Sequence, residues 1–276
     1  MIASPKEIHD GLIMARFNCH WNESLEHFKE NNIVGLFLQG SQNYQLDNEN
    51  SDIDTKLIIT PSFKQLAMNT QPVSTTHIRD NNEHIDFKDI RLYMQTFRKQ
   101  NLNFLEILFT PYKIINPLYA TEWNRLIANR EEIAHMNPWR AVKSMKGVAE
   151  NKYKHMKHPF PSKIDTLEKY GYDPKELHHL ARVYDYMQRY ANGESYESCL
   201  VPKEETRDFL LTIKQGVYSL PMAEAMADFF LREIEGIEHK FCSNREDEED
   251  KEMRDLLNNV CYNIMKISVE NELKEA

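Results

Sequence analysis

Asp52 and Asp54 stand one residue apart at the head of an apolar run, and Asp86 stands alone between Ile85 and Phe87. Side chains on a strand alternate faces, so a strand over residues 52–60 puts Asp52, Asp54 and Lys56 on one side of a sheet. Two neighbouring carboxylates repel, and one is pushed neutral unless a cation sits between them. A hard divalent ion with oxygen ligands, Mg2+ or Mn2+, is the natural partner. Asp86, an acid between apolar neighbours, has the pattern of a third ligand delivered from an adjacent strand. Three carboxylates around two metal ions suit nucleotidyl transfer: one ion activates an acceptor hydroxyl, and the other holds the triphosphate and the leaving pyrophosphate.

Gly40 and Ser41 follow the apolar run 33–38 and complement the acids. Glycine lets the backbone approach a phosphate closely. A serine hydroxyl and the N–H groups of a helix start donate to phosphate oxygens. Each piece alone is commonplace, since Gly-Ser is a frequent turn and Asp-x-Asp a frequent solvated strand end. Their conjunction in this order is much rarer. Lys56 and Lys88 each lie two positions beyond an acid, so each points into the site, to touch phosphate or to balance the carboxylates.

The elements that must carry these residues follow from periodicity. Ser4, Pro5 and Glu7 form a helix-start signature, and residues 5–31 have helical spacing with a break expected near Gly11 or Asn18. Strands are expected over 33–38, 52–60, 73–79 and 83–88, with a polar loop over 47–50 and a short helix over 62–69. Asp89 caps a helix, and 105–109 fits either strand or helix. From residue 116 onward the pattern is helical: 123–135, 139–157, 174–191, 203–215, 221–238 and 248–272. The acidic run 245–252 reads as the solvated start of the last helix. The expected fold class is α+β, with a small mixed β-sheet domain over 1–115 followed by an all-helical domain over 116–276.

The chain of 276 residues is 41% hydrophobic and 11% aromatic, a globular composition. Its 34 basic and 43 acidic side chains leave a net charge of −9, which argues against coating nucleic acid by charge alone. Cys19, Cys199, Cys242 and Cys261 are too few and too scattered for a disulfide framework or a zinc site, and read as thiols in a reducing cytosol. No apolar run approaches the roughly 20 residues a membrane span needs. A cytoplasmic protein without membrane association is expected.

Gly40-Ser41, Asp52-Ile53-Asp54 and Asp86 together resemble the signature of the DNA polymerase β-type nucleotidyltransferase superfamily. The longer string Ser51-Asp52-Ile53-Asp54-Thr55-Lys56, with Phe104-Leu105-Glu106-Ile107-Leu108-Phe109 downstream, is similar to a group of predicted bacterial and phage nucleotidyltransferases, some of them associated with RNA ligases and RNA repair. The similarity continues through Gly171-Tyr172-Asp173, Lys175, His179-Leu180 and Arg182, and spans about residues 35–216. One departure is Gln45 after Tyr44, where glycine is common in the superfamily. The resemblance implies transfer of a nucleoside monophosphate from an NTP to an acceptor hydroxyl, RNA being one candidate acceptor. Asp52 and Asp54 would bind both metals, Asp86 would bind the catalytic ion and draw the acceptor proton, and Gly40 and Ser41 would hold the triphosphate.

Lys175, His179 and Arg182 recur at i, i+4 and i+7, opposite the packing stripe of Leu177, Leu180, Tyr184 and Met187. Spacing alone makes them an ordinary solvated face partnered by Glu176 and Asp185; the resemblance implies anion binding. Residues 139–163 hold seven Lys or Arg and one acid, which fits either an RNA-binding patch or a solvated helix face. Arg130 and His135 match a weak two-residue ribonuclease spacing and read more simply as a surface pair. The alternatives to a transferase are a catalytically silent nucleotide- or RNA-binding regulator of the antitoxin kind, and a metal-independent ribonuclease.

Overall fold

The computed structural model describes residues 5–48 and 51–275. Ser4, expected as a cap, and Glu49 and Asn50 of the polar loop lie outside the described residues. The order is α1 (Pro5–His27), β1 (Ile33–Gln39), β2 (Asp54–Ile59), α2 (Phe63–Ala67), β3 (Ser74–Ile78), β4 (His84–Asp89), α3 (Ile90–Arg98), α4 (Leu102–Leu105) and β5 (Lys113–Ile115). Then come α5 (Ala120–Ala128), α6 (Arg130–Ala134), α7 (Pro138–His155), α8 (Ile164–Tyr170), α9 (Pro174–Ala191), α10 (Tyr196–Leu200), α11 (Glu204–Lys214), α12 (Leu220–Cys242) and α13 (Lys251–Glu275). A mixed five-stranded sheet thus precedes a run of helices, as the periodicities imply.

The sheet order is β3-β4-β2-β1-β5. β2 and β4 are parallel, with Lys56 opposite Asp86; the other pairs are antiparallel. Alternation sorts the side chains onto two faces. Leu36, Leu38, Ile53, Leu57, Ile59, Ile85 and Phe87 pack beneath Ile13 and Phe17 of α1. Val34, Phe37 and Ile58 face the other way, into a core shared with α3, α5, α7, α9, α12 and α13. A register shift between Ile33 and Gly35 changes the parity of β1, so Ile33 joins Leu36 on one face and Val34 joins Phe37 on the other. The hydrophobic core therefore runs without interruption across residue 115.

Local chemistry starts the helices where the sequence indicates. Asp89, Asn137 and Asp173 each accept a backbone N–H at the head of α3, α7 and α9, and Ser62 forms a reciprocal capping box with Gln65. Four differences from expectation have physical reasons. α1 is continuous: Gly11 and Asn18 are exposed, so neither interrupts packing. The helix expected over 123–135 breaks at Asn129 into α5 and α6. β5 is three residues between Pro111 and Pro117, too short to show a period, and it exists by pairing with β1. The acidic run is a strap rather than a helix start: Asp247 takes Arg140 and Asn137, Glu249 takes Nε and Nη2 of Arg98, and only then does α13 begin.

Gly35 lies where β5 crosses β1. A Cβ there would come within 2.8 Å of the Ile114 carbonyl oxygen and 2.9 Å of the Phe37 ring. Gly35→Ala should lower stability by about 1–3 kcal/mol, the usual size of an overpacked core position, read as a lower midpoint in urea with an unchanged slope.

Candidate active site

A cleft of about 270 Å³ opens where the sheet meets the helices. Gln39, Gly40, Ser41 and Tyr44 form one wall, Asn48, Ser51, Asp52 and Asp54 another, and Lys175, His178, His179 and Lys214 close it from the helical side. The Gly-Ser pair and the Asp-x-Asp pair are thus brought together, with Lys175 and His179 opposite them. β2 begins at Asp54, so Asp52 is not on the expected strand; it lies just before it, with its side chain 52% exposed. Lys175 Nζ stands 4.0 Å from Asp52 Oδ2.

The turn that carries Gly40 and Ser41 is tight. Gly40 has φ +102°, a conformation that glycine accepts without strain, and Ser41–Tyr44 form one 3-10 turn. Gln45 closes it in the left-handed region at φ +56°. The turn thus closes with a non-glycine residue in a left-handed conformation. Gln42 Nε2 donates to the Asp52 carbonyl at 2.8 Å, tying the turn to the acid segment.

Behind the acids lies a buried charge network that sequence reasoning missed. Glu83 accepts from Arg16, Arg79, Asn81 and the Ile53 amide, while His20 bridges Glu83 and the Thr55 hydroxyl. Arg16 also donates to the Ser51 carbonyl. The segment from Ser51 to Thr55 is held at the Ser51 carbonyl, the Ile53 N–H and the Thr55 hydroxyl, and Asp52 and Asp54 ride on it. Burial alone would raise the Glu83 carboxyl, but His20, Asn81 and Arg16 outweigh it and hold it at about 2.

Asp54 Oδ1 accepts the His84 N–H at 3.0 Å and faces His84 Nδ1 at 3.2 Å. Burial pushes its carboxyl above the ordinary value, and the nearby Asp52 charge adds to that against the pull of His84 and Lys175. Asp86 does not line the cleft. Lys56 Nζ donates to it at 3.1 Å and the Thr76 hydroxyl at 2.6 Å, and these contacts outweigh burial and keep it below the ordinary carboxylate value. Lys56 and Lys88 lie against the Phe104 ring at 4.1 and 4.2 Å, outside the cleft, rather than pointing into it.

The cationic stripe is also reorganised. Lys175 is 61% exposed at the cleft mouth. Burial pushes the His179 imidazole well below its ordinary value, and pushes His178 down to about 4, so both are neutral near pH 7. Arg182 is not opposite the core but inside it, stacked 4.0 Å over the Tyr44 ring, because α9 is packed by neighbouring helices on several sides. Lys214 supplies the second cation instead, with Nζ 3.0 Å from the Leu46 carbonyl. Its partners come from distant segments, so no local spacing signals it.

Asp52 and Asp54 offer hard oxygen donors on one cleft and fit a divalent ion. Among the described residues no group of three His, Cys, Asp or Glu side chains is placed to share one, so Asp86 does not complete a three-ligand set here. The basic segment presents little unpaired charge: Arg140, Lys143, Lys146, Lys152, Lys157 and Lys163 each meet an acid. Arg130 pairs with Glu197, and His135 stacks on Tyr190, so the ribonuclease spacing marks two structural contacts. All four cysteines are free thiols. No described helix is long and apolar enough to cross a membrane.

No protein-family model matches the chain, and no curated protein matches it. Among solved structures it is similar to a nucleotidyltransferase-like protein from Exiguobacterium sibiricum 255-15, at 12% identity, over 82% of this chain and 75% of that one, with a TM-score of 0.30. A score that low leaves the functional reading to the site itself.

Two pH effects of opposite sign follow. The depressed Glu83 stabilises the fold above its unfolded value of 4.5, and that contribution is lost as pH falls through about 2. Glu83→Gln should therefore flatten the acid limb of a melting-temperature profile while lowering its plateau. Glu106, buried beneath the turn, is pushed up to about 8, so its contribution is full below 4.5 and is lost as pH rises through 8. Glu106→Gln should remove that alkaline decline, measured by thermal melts over roughly pH 5 to 9.

Proposed function

We propose that this protein is a metal-dependent nucleotidyltransferase, moving a nucleoside monophosphate from an NTP to an acceptor hydroxyl with release of pyrophosphate. One observation carries the reading: the Gly40–Ser41 turn, the Asp52/Asp54 pair and the Lys175/Lys214 pair line a single cleft. Phosphoryl chemistry needs this mixture, because donors and cations must hold the phosphate oxygens while carboxylates hold a divalent ion.

In this reading the Ser41 hydroxyl and the turn backbone bind the triphosphate, and Lys175 and Lys214 neutralise its outer charge from the helical side. Asp52 and Asp54 would hold Mg2+ or Mn2+, which when bound screens the triphosphate and polarises the reacting phosphorus centre. Asp86, held by Lys56 and Thr76, would add a third carboxylate only if Lys56 released it. His178 and His179, neutral near pH 7, act as hydrogen-bonding groups rather than as cations. The acceptor is an open choice between RNA, protein and small hydroxyl compounds; the paired state of residues 139–163 gives RNA no special support.

The Lys56–Asp86 pair favours one second reading, a protein that binds nucleotide without transferring it. Incubation with labelled NTPs, Mg2+ or Mn2+, and a panel of tRNA, RNA ends, protein and the chain itself separates the two. Under the transferase reading label moves to an acceptor, and Asp52→Ala or Asp54→Ala reduces transfer by roughly 10²–10³-fold, the scale on which lost electrostatic stabilisation acts. His135→Ala leaves the rate unchanged. Transfer that survives both aspartate variants overturns the mechanism.

A further inference from the structure

Glu106 and Arg182 are buried ionisable residues that the proposed chemistry does not use. One comes from the sheet-bearing part of the chain and the other from α9, and each contacts the turn that carries Gly40 and Ser41. Glu106, 1% exposed, accepts the Gly40 N–H through Oε1 at 3.0 Å. Arg182, 5% exposed, lays its guanidinium over Tyr44, four residues further along the same turn. We propose that both are positioning residues: Glu106 fixes the Gly40 amide, Arg182 fixes Tyr44, and together they set the edge against which phosphate binds. This rests on the nucleotidyltransferase reading of the cleft.

The geometry gives each contact a distinct task. Gly40 has positive φ and no side chain of its own to lock it, so an acceptor on its N–H selects one of several accessible conformations. Thr110, one helical turn beyond Glu106, donates its hydroxyl to Asn43 Oδ1 at 2.7 Å, and Asn43 Nδ2 donates to the Leu38 carbonyl at 3.0 Å. The segment 106–110 therefore grips the turn at both ends while Arg182 supports its ring from below. The turn passes this placement on, since Gln42 holds the Asp52 carbonyl. Lys175 and His179, which face the cleft, lie on the same helix as Arg182, so α9 sets both sides of the gap.

Glu106 and Arg182 attract one another, yet their hydrogen bonding is incomplete. Among the described residues, Glu106 Oε2 and Arg182 Nε and Nη1 have no hydrogen-bond partner. Unpaired buried polar atoms weaken a fold, and apolar residues of similar volume fill such a space at lower cost. With burial raising the Glu106 carboxyl, its service to Gly40 is that of a fixed acceptor rather than of a charge. A glutamine can perform it.

The test measures binding of tripolyphosphate with Mg2+ by calorimetry, alongside KM and kcat for labelled NTP transfer. Glu106→Ala should weaken tripolyphosphate and raise KM about tenfold, the effect of one buried hydrogen bond, with kcat changing less. Glu106→Gln should recover affinity to within about threefold of the parent. Arg182→Met, which keeps the volume, should weaken binding like Glu106→Ala while leaving the melting temperature equal or higher, an outcome that loss of a purely structural residue does not give. Parental affinity in Glu106→Ala and Arg182→Met, or a Glu106→Gln as weak as Glu106→Ala, overturns the positioning role alone. Should Glu106→Ala not fold, the glutamine and Arg182 variants decide. A parent protein that binds no tripolyphosphate overturns the cleft reading and this inference with it.

Discussion

Burying charge is costly unless it is partnered, and one face of this sheet carries Asp54, Lys56, Asp86 and Lys88 beside the core residue Ile58. The arrangement above that face answers this constraint. Lys56 and Asp86 sit opposite each other on parallel strands and neutralise one another. Phe104 covers the two lysines with its ring. Nearer the ends of the strands the helices stand off, and the gap that remains is the cleft, with Asp54 at its edge. The helical half is thus more than a lid: where it touches the sheet it completes the core, and where it cannot touch it leaves a polar space.

The same constraint shapes the helical side. Its most conspicuous positive segment, 139–163, is largely used in holding helices together, through Glu176, Glu224, Glu238 and Asp247. Charges kept for the cleft are few, and they come from the start of α9 and the end of α11. The neutral imidazoles of His178 and His179 line the same cleft without adding positive charge to that of Lys175, which already stands 4.0 Å from Asp52.

The acid pair, the Gly-Ser turn and four of the five strands were legible because they depend on neighbours in sequence, whereas β5 exists only through its pairing with β1. Alternation over 53–59 and 84–89 sorts residues onto the two faces of the sheet without any knowledge of what packs on each. What failed to show was set by packing between distant segments. Arg182 falls on the polar side of a helical wheel, but α9 is a central helix and has little solvent side. Lys214, His84 and the Arg16–His20–Glu83 network reach the site from separate elements, so their spacing carries no period. Glu106 was legible only as part of an apolar string, since its acceptor role depends on where the Gly40 amide points.

The last helix carries a consequence for how the chain acquires its structure. Met253, Leu257, Val260 and Ile264 of α13 enter the same core as Val34, Phe37 and Ile58, and Ser268 meets Thr60 while Glu272 takes the Phe63 amide. These are contacts across some 200 residues, and loops of that span close slowly. As the chain emerges from the ribosome, the apolar face next to α3 and α5 stays open until residues 251–275 arrive. The interval is one in which the nascent chain exposes apolar surface, so removal of α13, the longest of the described helices, would leave that face of the core uncovered and prone to aggregation.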